Sequence, residues 1–368
     1  MAEVAALRKH PCPECGGDAV WNAAKQALGC PYCGHVFPWQ PGVDSPEAGI
    51  REHDLLAALE NVPDSERGWQ EQKRTVQCQS CHAIMVFDAA RNAQNCEFCG
   101  SPSIIPHENA KDAITPESLL PMKFSEAQVR EKLRVWYGSH WLAPDKLKRA
   151  AMTDTLHGIY IPYWTFDSHV HAAWTADAGY YYYETERFRD AQGNMQTRQV
   201  QKVRWVPAAG ELRHFFDDAL VAGTSGVNPE YLRQVEPFPT TTVELKAYDP
   251  AFVRGWVVER YQVDLRQAAE RNMEEMESAV RSLCAAQVPG DTQRNLQVRS
   301  RYSGRTFKHI LVPVWLVTYA FGAKNYQIVV NGFNGKIAGG RPTSWVKVFF
   351  YIILPLLILL VVVLASQR

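Results

Sequence analysis

Tyr160-Ile161-Pro162-Tyr163-Trp164-Thr165-Phe166 is an uncharged run of aromatic and β-branched residues, and it decides how the middle of the chain is read. It opens a β-rich stretch. Alternation continues through His169, His171 and Trp174, and Ala191-Gln192-Gly193-Asn194 is a turn signal between residues 180–188 and a strand containing Val200, Val203 and Trp205. Two further strands are predicted over residues 212–221 and 253–263.

Outward from this run the pattern becomes helical on both sides. Ser125-Glu126-Ala127-Gln128-Val129 starts a capped run reaching Trp136, and Pro144-Asp145-Lys146-Leu147 starts a second. Residues 264–288 read as one long helix with apolar positions at Leu265, Ala268, Met276, Val280 and Leu283, and Cys284 falls on its buried face. Strands are predicted over 296–302, 310–321 and 326–330, joined by glycine and Asn-Gly turns. Residues 111–250 are thus helices followed by a β-rich region, and 251–342 a helix plus an antiparallel meander. The expected fold class is α+β.

Eight of the nine cysteines lie ahead of this body: Cys12, Cys15, Cys30 and Cys33, then Cys78, Cys81, Cys96 and Cys99. Each set reads C-x2-C, fourteen residues, C-x2-C, and each cysteine of the second lies 66 residues after its counterpart. This is an internal repeat of one unit. Two C-x2-C pairs bring four thiolates around one tetrahedral Zn2+, and Gly16, Gly34 and Gly100 supply unusual backbone angles just past a sulfur. The expectation is two Zn2+ per chain in two small four-cysteine zinc ribbons, over residues 1–45 and 73–110. Residues 46–72 are a linker with a short helix, which serves as a spacer or docks one ribbon on the other. A redox C-x-x-C would need one pair beside a βαβ pattern, and a catalytic zinc would leave a ligand position open. Disulfides need an oxidising compartment, for which the first seven residues carry no secretory h-region.

Residues 348–365 hold no charge, and at about 1.5 Å per residue a helix of that length is enough to cross a bilayer core. A C-terminal transmembrane helix over 345–365 is therefore expected, with Trp345 and Tyr351 at headgroup level. Lys336, Arg341 and Lys347 precede it and only Arg368 follows, which predicts a tail-anchored, single-pass protein of the bacterial inner membrane with its N-terminal domains in the cytoplasm. The lipid bilayer is then one partner.

The 39 basic and 39 acidic residues sum to zero, but residues 1–110 hold 8 basic and 14 acidic ones. Each span between outer cysteines, 12–33 and 78–99, carries one basic and two acidic residues, which disfavours nucleic acid as the partner of the ribbons. No phosphate-binding G-x-x-x-x-G-K-[ST] loop, G-x-S-x-G elbow or H-E-x-x-H helix occurs. His169 and His171 share one strand face, so a metal-dependent enzyme using them with His157 or Asp167 is an alternative. Tyr180-Tyr181-Tyr182-Tyr183 is a run that can stack bases or divide between core and surface, and Glu184 and Glu186 form a carboxylate pair of unfixed separation.

Leu120-Pro121-Met122-Lys123-Phe124, Trp141-Leu142-Ala143-Pro144, Gly158-Ile159-Tyr160-Ile161-Pro162-Tyr163-Trp164-Thr165-Phe166-Asp167, Pro313-Val314-Trp315 and Val330-Asn331-Gly332 resemble bacterial membrane proteins with an N-terminal TFIIB-type zinc ribbon. The resemblance spans roughly residues 75–350. Members are often labelled as similar to the primosomal replication-restart helicase, and the resemblance implies an architecture rather than catalytic residues. Residues 326–337 also resemble the last hairpin of a PepSY-type module. Together these readings predict a non-enzymatic, membrane-tethered zinc-ribbon adaptor with a cytoplasmic or membrane protein partner; nucleic-acid binding near the membrane is the rival.

Overall fold

The computed structural model describes residues 10–39, 50–60, 73–88, 95–98, 101, 103–106, 114–139, 156–189, 193–240, 244–254, 256–321, 324–340 and 344–366. Its strands run β1 (Val20–Asn22), β2 (Ala27–Gly29), β3 (Val36–Phe37), β4 (His53–Asp54), β5 (Lys73–Cys78), β6 (Ile84–Asp88), β7 (Ile104–Pro106) and β8 (Ser118–Leu119). They continue as β9 (Leu156–Arg189), β10 (Met195–Ala222), β11 (Lys246–Ala247), β12 (Val257–Arg260), β13 (Thr292–Phe321), β14 (Lys324–Asn331) and β15 (Ile337–Gly339).

Three very long strands organise the body. β9 has 34 residues, β10 has 28 and β13 has 30, and β9 lies between the other two, antiparallel to both. The run Tyr160–Phe166 is buried because both sheet faces are covered there, so it shows no alternation. Farther along, Val170, Ala172, Trp174 and Ala176 turn inward under the helix Leu265–Gln287, and the residues between them face solvent. That helix starts where the Asp264 side chain accepts from the Gln267 N–H at 2.8 Å, and Cys284 is fully buried on its inner face.

The α+β reading is corrected to one large mixed sheet. Among the described residues twelve strands join in it, with parallel pairs β12 to β9 and β8 to β13 among antiparallel ones. The separate strands predicted over 296–302 and 310–321 are one continuous strand, and the predicted strand over 253–263 shrinks to β12 behind a short helix, Pro250–Val253. The physical reason is that glycines in these strands mark close approach, not ends. A Cβ on Gly179 would meet Thr292 Cγ2 at 2.6 Å, and one on Gly210 would meet Trp174 Cζ2 at 2.5 Å. The helix Glu126–Gly138 forms as predicted, with Gln128 Oε1 accepting from the Ser125 N–H at 2.9 Å; the second predicted helix falls outside the described residues.

The expected transmembrane helix is also corrected: among the described residues no helix is long and apolar enough to cross a membrane. The segment is divided into an α turn (Trp345–Val348), a π turn (Phe349–Ile353) and an α-helix (Leu354–Ser366). Pro355 has no N–H to return to the preceding turn, and the Leu354 N–H bonds Phe349 O instead, five residues back. The 13 residues of the α-helix rise about 20 Å, short of the roughly 30 Å of a bilayer core. With that, the tail anchor, the inner-membrane localisation and the bilayer as partner lose their support.

Candidate metal centres

Among the described residues, three of the C-x2-C turns fold by the same two backbone bonds, and the fourth shows one of them. The Gly16 N–H donates to Cys12 O at 2.9 Å, Gly34 to Cys30 O at 3.0 Å and His82 to Cys78 O at 3.0 Å. In return the N–H groups of Cys12, Cys30, Cys78 and Cys96 donate to the carbonyls of Gly17, His35, Ala83 and Ser101 at 2.7–3.0 Å. The residue after the second sulfur must then take positive φ, 71° at Gly16, 75° at Gly34 and 61° at His82. The 66-residue repeat extends to the pairing, since the bridge between Pro11 and Asp18 recurs as Gln77 with Ile84.

The predicted ligands converge. The sulfurs of Cys12, Cys15, Cys30 and Cys33 all lie within 4.8 Å of one another, as do those of Cys78, Cys81 and Cys96; Cys99 lies outside the described residues. Cys12 and Cys33 are 3.5 Å apart, Cys15 and Cys30 3.4 Å, Cys81 and Cys96 3.6 Å. A tetrahedral ion held at about 2.3 Å from each sulfur needs sulfurs roughly 3.8 Å apart, so both clusters can hold a metal ion. Backbone amides already point at the sulfurs: Ser80 N–H toward Cys78 Sγ and Phe98 N–H toward Cys96 Sγ, both at 3.4 Å.

Without a cation the first set cannot ionise together. The Cys33 N–H, and then the Tyr32 N–H against the effect of burial, lower the Cys30 thiol from 9.0 to about 7. Cys33 goes the other way: the His35 N–H favours its thiolate, but burial and the three neighbouring sulfurs push it up to about 12. One thiolate therefore suppresses its neighbours, and a bound cation removes the conflict.

The two clusters sit in different surroundings. β1, β2 and β3 form a separate three-stranded sheet, docked on the body through Trp21, whose Nε1 donates to Met122 O at 3.0 Å, and through Trp21 and Trp39 against Phe252. Asp249 receives His10 Nε2 at 2.6 Å. The knuckles point away, with Cys15 and Cys33 exposed and Tyr32 78% exposed. In the second ribbon β5, β6 and β7 belong to the large sheet, because β6 pairs with β12 through Val86 and Val258. Cys78, Ala83, Met85, Cys96 and Phe98 are part of the main core with Ile159, Ile161 and Val257. Among the described residues the linker helix, Leu55–Glu60, packs on the body, with Leu55 and Ala58 against Trp164 and Phe307.

The histidine site does not assemble. His169 packs on Phe215 with ring centroids 4.5 Å apart, His171 reaches Glu211 at 3.2 Å, and His157 pairs with Glu97 beside the second ribbon. Asp167 lies instead with Asp217 and Asp218, a cluster that sequence reading missed; its signal was two adjacent aspartates within a strand. A bulge there holds Asp218 at φ 51°, so that its N–H donates to Asp167 Oδ1 at 2.6 Å. Buried Lys308 supplies the cation, 2.6 Å from Asp218 and 3.4 Å from Glu52. Burial disfavours its charge, but the Asp218 contact and the neighbouring carboxylates raise its pKa, so this cluster is an internal ion-pair network. Of the tyrosine run, Tyr181, Tyr182 and Tyr183 are all exposed, and Glu184 and Glu186 both bind Lys202.

Comparison with known proteins gives one distant likeness. The chain is 23% identical over 340 residues to "Uncharacterized protein YdjG" of Bacillus subtilis (strain 168), covering 92% of this chain and 91% of the relative. No family model matches, and no solved structure matches. The likeness runs almost end to end in both chains.

Proposed function

We propose that the protein is a non-enzymatic zinc-ribbon adaptor holding two Zn2+ per chain, with the first ribbon presented to a protein partner and the second serving as a structural staple. The observation that carries this reading is the contrast in exposure between two equivalent knuckles. Tyr32 is 78% exposed while its counterpart Phe98 is fully buried, and Cys15 is exposed where its counterpart Cys81 is half-buried; the inner pairs, Cys12 with Cys30 and Cys78 with Cys96, are buried in both ribbons. Four thiolates close a zinc coordination sphere and leave no position for substrate, so such a site stabilises and displays rather than reacts. The resemblance of residues 75–350 to TFIIB-type zinc-ribbon proteins leaves out the first ribbon and supports only the assignment of zinc to the second. In such an adaptor an exposed aromatic on a metal-rigidified turn supplies contact area at little entropic cost.

The test is affinity purification of the full-length chain from cells, unaltered and with Tyr32→Ala, alongside metal analysis of the purified protein. Two zincs per chain in both samples, with a protein lost only from the variant, are expected. Recovery of the same proteins in the same amounts from both would refute the role of the first ribbon.

A further inference from the structure

Beyond the thiolate sites the largest undeveloped surface is the outer face of β10, β9 and β13, opposite the helix Leu265–Gln287. We propose that this face binds a single-stranded polynucleotide, independently of either ribbon.

Register defines the face. His169, His171, Ala173 and Thr175 of β9 are exposed while the residues between them are buried. Opposite His171 stand Arg213 of β10 and Arg301 of β13; opposite Ala173 stand Glu211 and Arg299. β13 begins at Thr292, opposite Gly179, and beyond it β9 and β10 continue as a two-stranded arm out to Arg189 and Met195. The same face of the arm carries Tyr181, Tyr183, Thr185, Arg187 and Arg189, with Val203, Gln201, Gln199, Thr197 and Met195 directly across. From His171 to Arg189 it extends about 60 Å at roughly 3.3 Å per residue.

Charge on this face is one-sided. Asp177 is taken by Arg294 at 3.1 Å and Glu211 by His171 at 3.2 Å. Arg187, Arg189, Arg213, Arg299 and Arg301 are exposed, and none of the five has an ion pair among the described residues. The other face of the arm differs: Glu184 and Glu186 there neutralise Lys202 and Arg198. The side with free guanidiniums also has rings standing in solvent, Tyr183 at 65%, Tyr181 at 44% and Phe215 at 45%.

Guanidiniums at both ends of a track, with Tyr181 and Tyr183 between them and Phe215 beside the first cluster, match a chain of phosphates whose unstacked bases lie on rings. A duplex keeps its bases stacked and would leave the rings unused, and a protein partner would not call for phosphate-type charge over such a length. The near-neutral ribbons take no part, so the surface is an addition to the adaptor reading.

The experiment is fluorescence anisotropy of the full-length protein with labelled oligo-dT and oligo-U of about 20 nucleotides, a duplex of equal length and phosphatidylglycerol vesicles. Saturable binding of the single strands is expected, stronger than of the duplex, with log affinity falling against log salt at a slope of about −3 to −4 for five phosphate contacts. The pair Arg299→Glu and Arg301→Glu should lose at least about tenfold and flatten the slope, while Arg299→Lys with Arg301→Lys retains binding. Tyr181→Ala with Tyr183→Ala should lose roughly tenfold or more without changing the slope. These side chains are exposed, and unchanged thermal unfolding of each variant confirms the fold. No single-strand binding at about 50 mM salt, binding indifferent to all three pairs, or a preference for duplex or vesicles overturns the proposal.

Discussion

The two ribbons share one motif, one spacing and one set of knuckle hydrogen bonds, yet one is a guest of the body and the other is part of it. The first closes its own small sheet around Ala19 and Leu28 and leans on the helical turn Pro250–Val253. The second lends β6 to β12 and its cysteines to the main core. Identical local chemistry therefore has different reach. A metal held at the first site would order a module, while one held at the second would order the body itself.

Removing one thiolate from each site separates these roles most sharply. A structural zinc contributes on the order of 10 kcal/mol to its own fold. Cys78→Ser is expected to lower the thermal midpoint of the body by roughly 10 °C or more, because strands β5 to β7 pair into the large sheet. Cys12→Ser should leave that midpoint within about 2 °C while releasing one metal equivalent. Equal shifts in a calorimetric scan would erase the distinction between guest and core.

Truncating one buried side chain in each ribbon probes the same boundary without touching a ligand. Met85 and Leu28 are both fully buried. Met85→Ala should cost the body about 2–5 kcal/mol in denaturant unfolding, whereas Leu28→Ala should cost a similar amount only in the first ribbon's own stability. A smaller contrast follows from exposure of the sulfurs. With limiting iodoacetamide, exposed Cys15 should be alkylated about threefold or more faster than its half-buried counterpart Cys81, and peptide mass spectrometry gives the order.

The ligand sets were legible because tetrahedral thiolate chemistry is written in local spacing, and the repeat of 66 residues doubled the signal. Their unequal settings were not. Val20 and Val86 occupy equivalent places in the repeat, and nothing near Val86 announces a partner at Val258, far along the chain. The long strands were read in pieces for a related reason: Gly179 looks like a break until Thr292 and Trp205 are seen to need its missing Cβ. In the tail, hydrophobicity measured length but not continuity, and Pro355 with the π turn before it shortened the helix. The exposed outer face of β9, β10 and β13 was visible only as a row of tyrosines, since Arg299 and Arg301 join it through register alone.

The smallest expected effect tests the comparison at a single dihedral. Gly16 and His82 hold the same place after the second sulfur, at φ 71° and 61°, but only one of them is glycine. A side chain in that region costs about 1–2 kcal/mol relative to its preferred backbone, partly offset because glycine gives the unfolded chain more freedom. His82→Gly is thus expected to stabilise by about 0.5–1 kcal/mol. Because this knuckle is part of the core, the gain should appear in the unfolding of the whole body. Gly16→Ala meets open space, so its cost of similar size comes from the backbone alone and should appear only as weaker metal retention by the first ribbon. A shift of the body's transition by Gly16→Ala would mean that the first ribbon is bound to the body as firmly as the second.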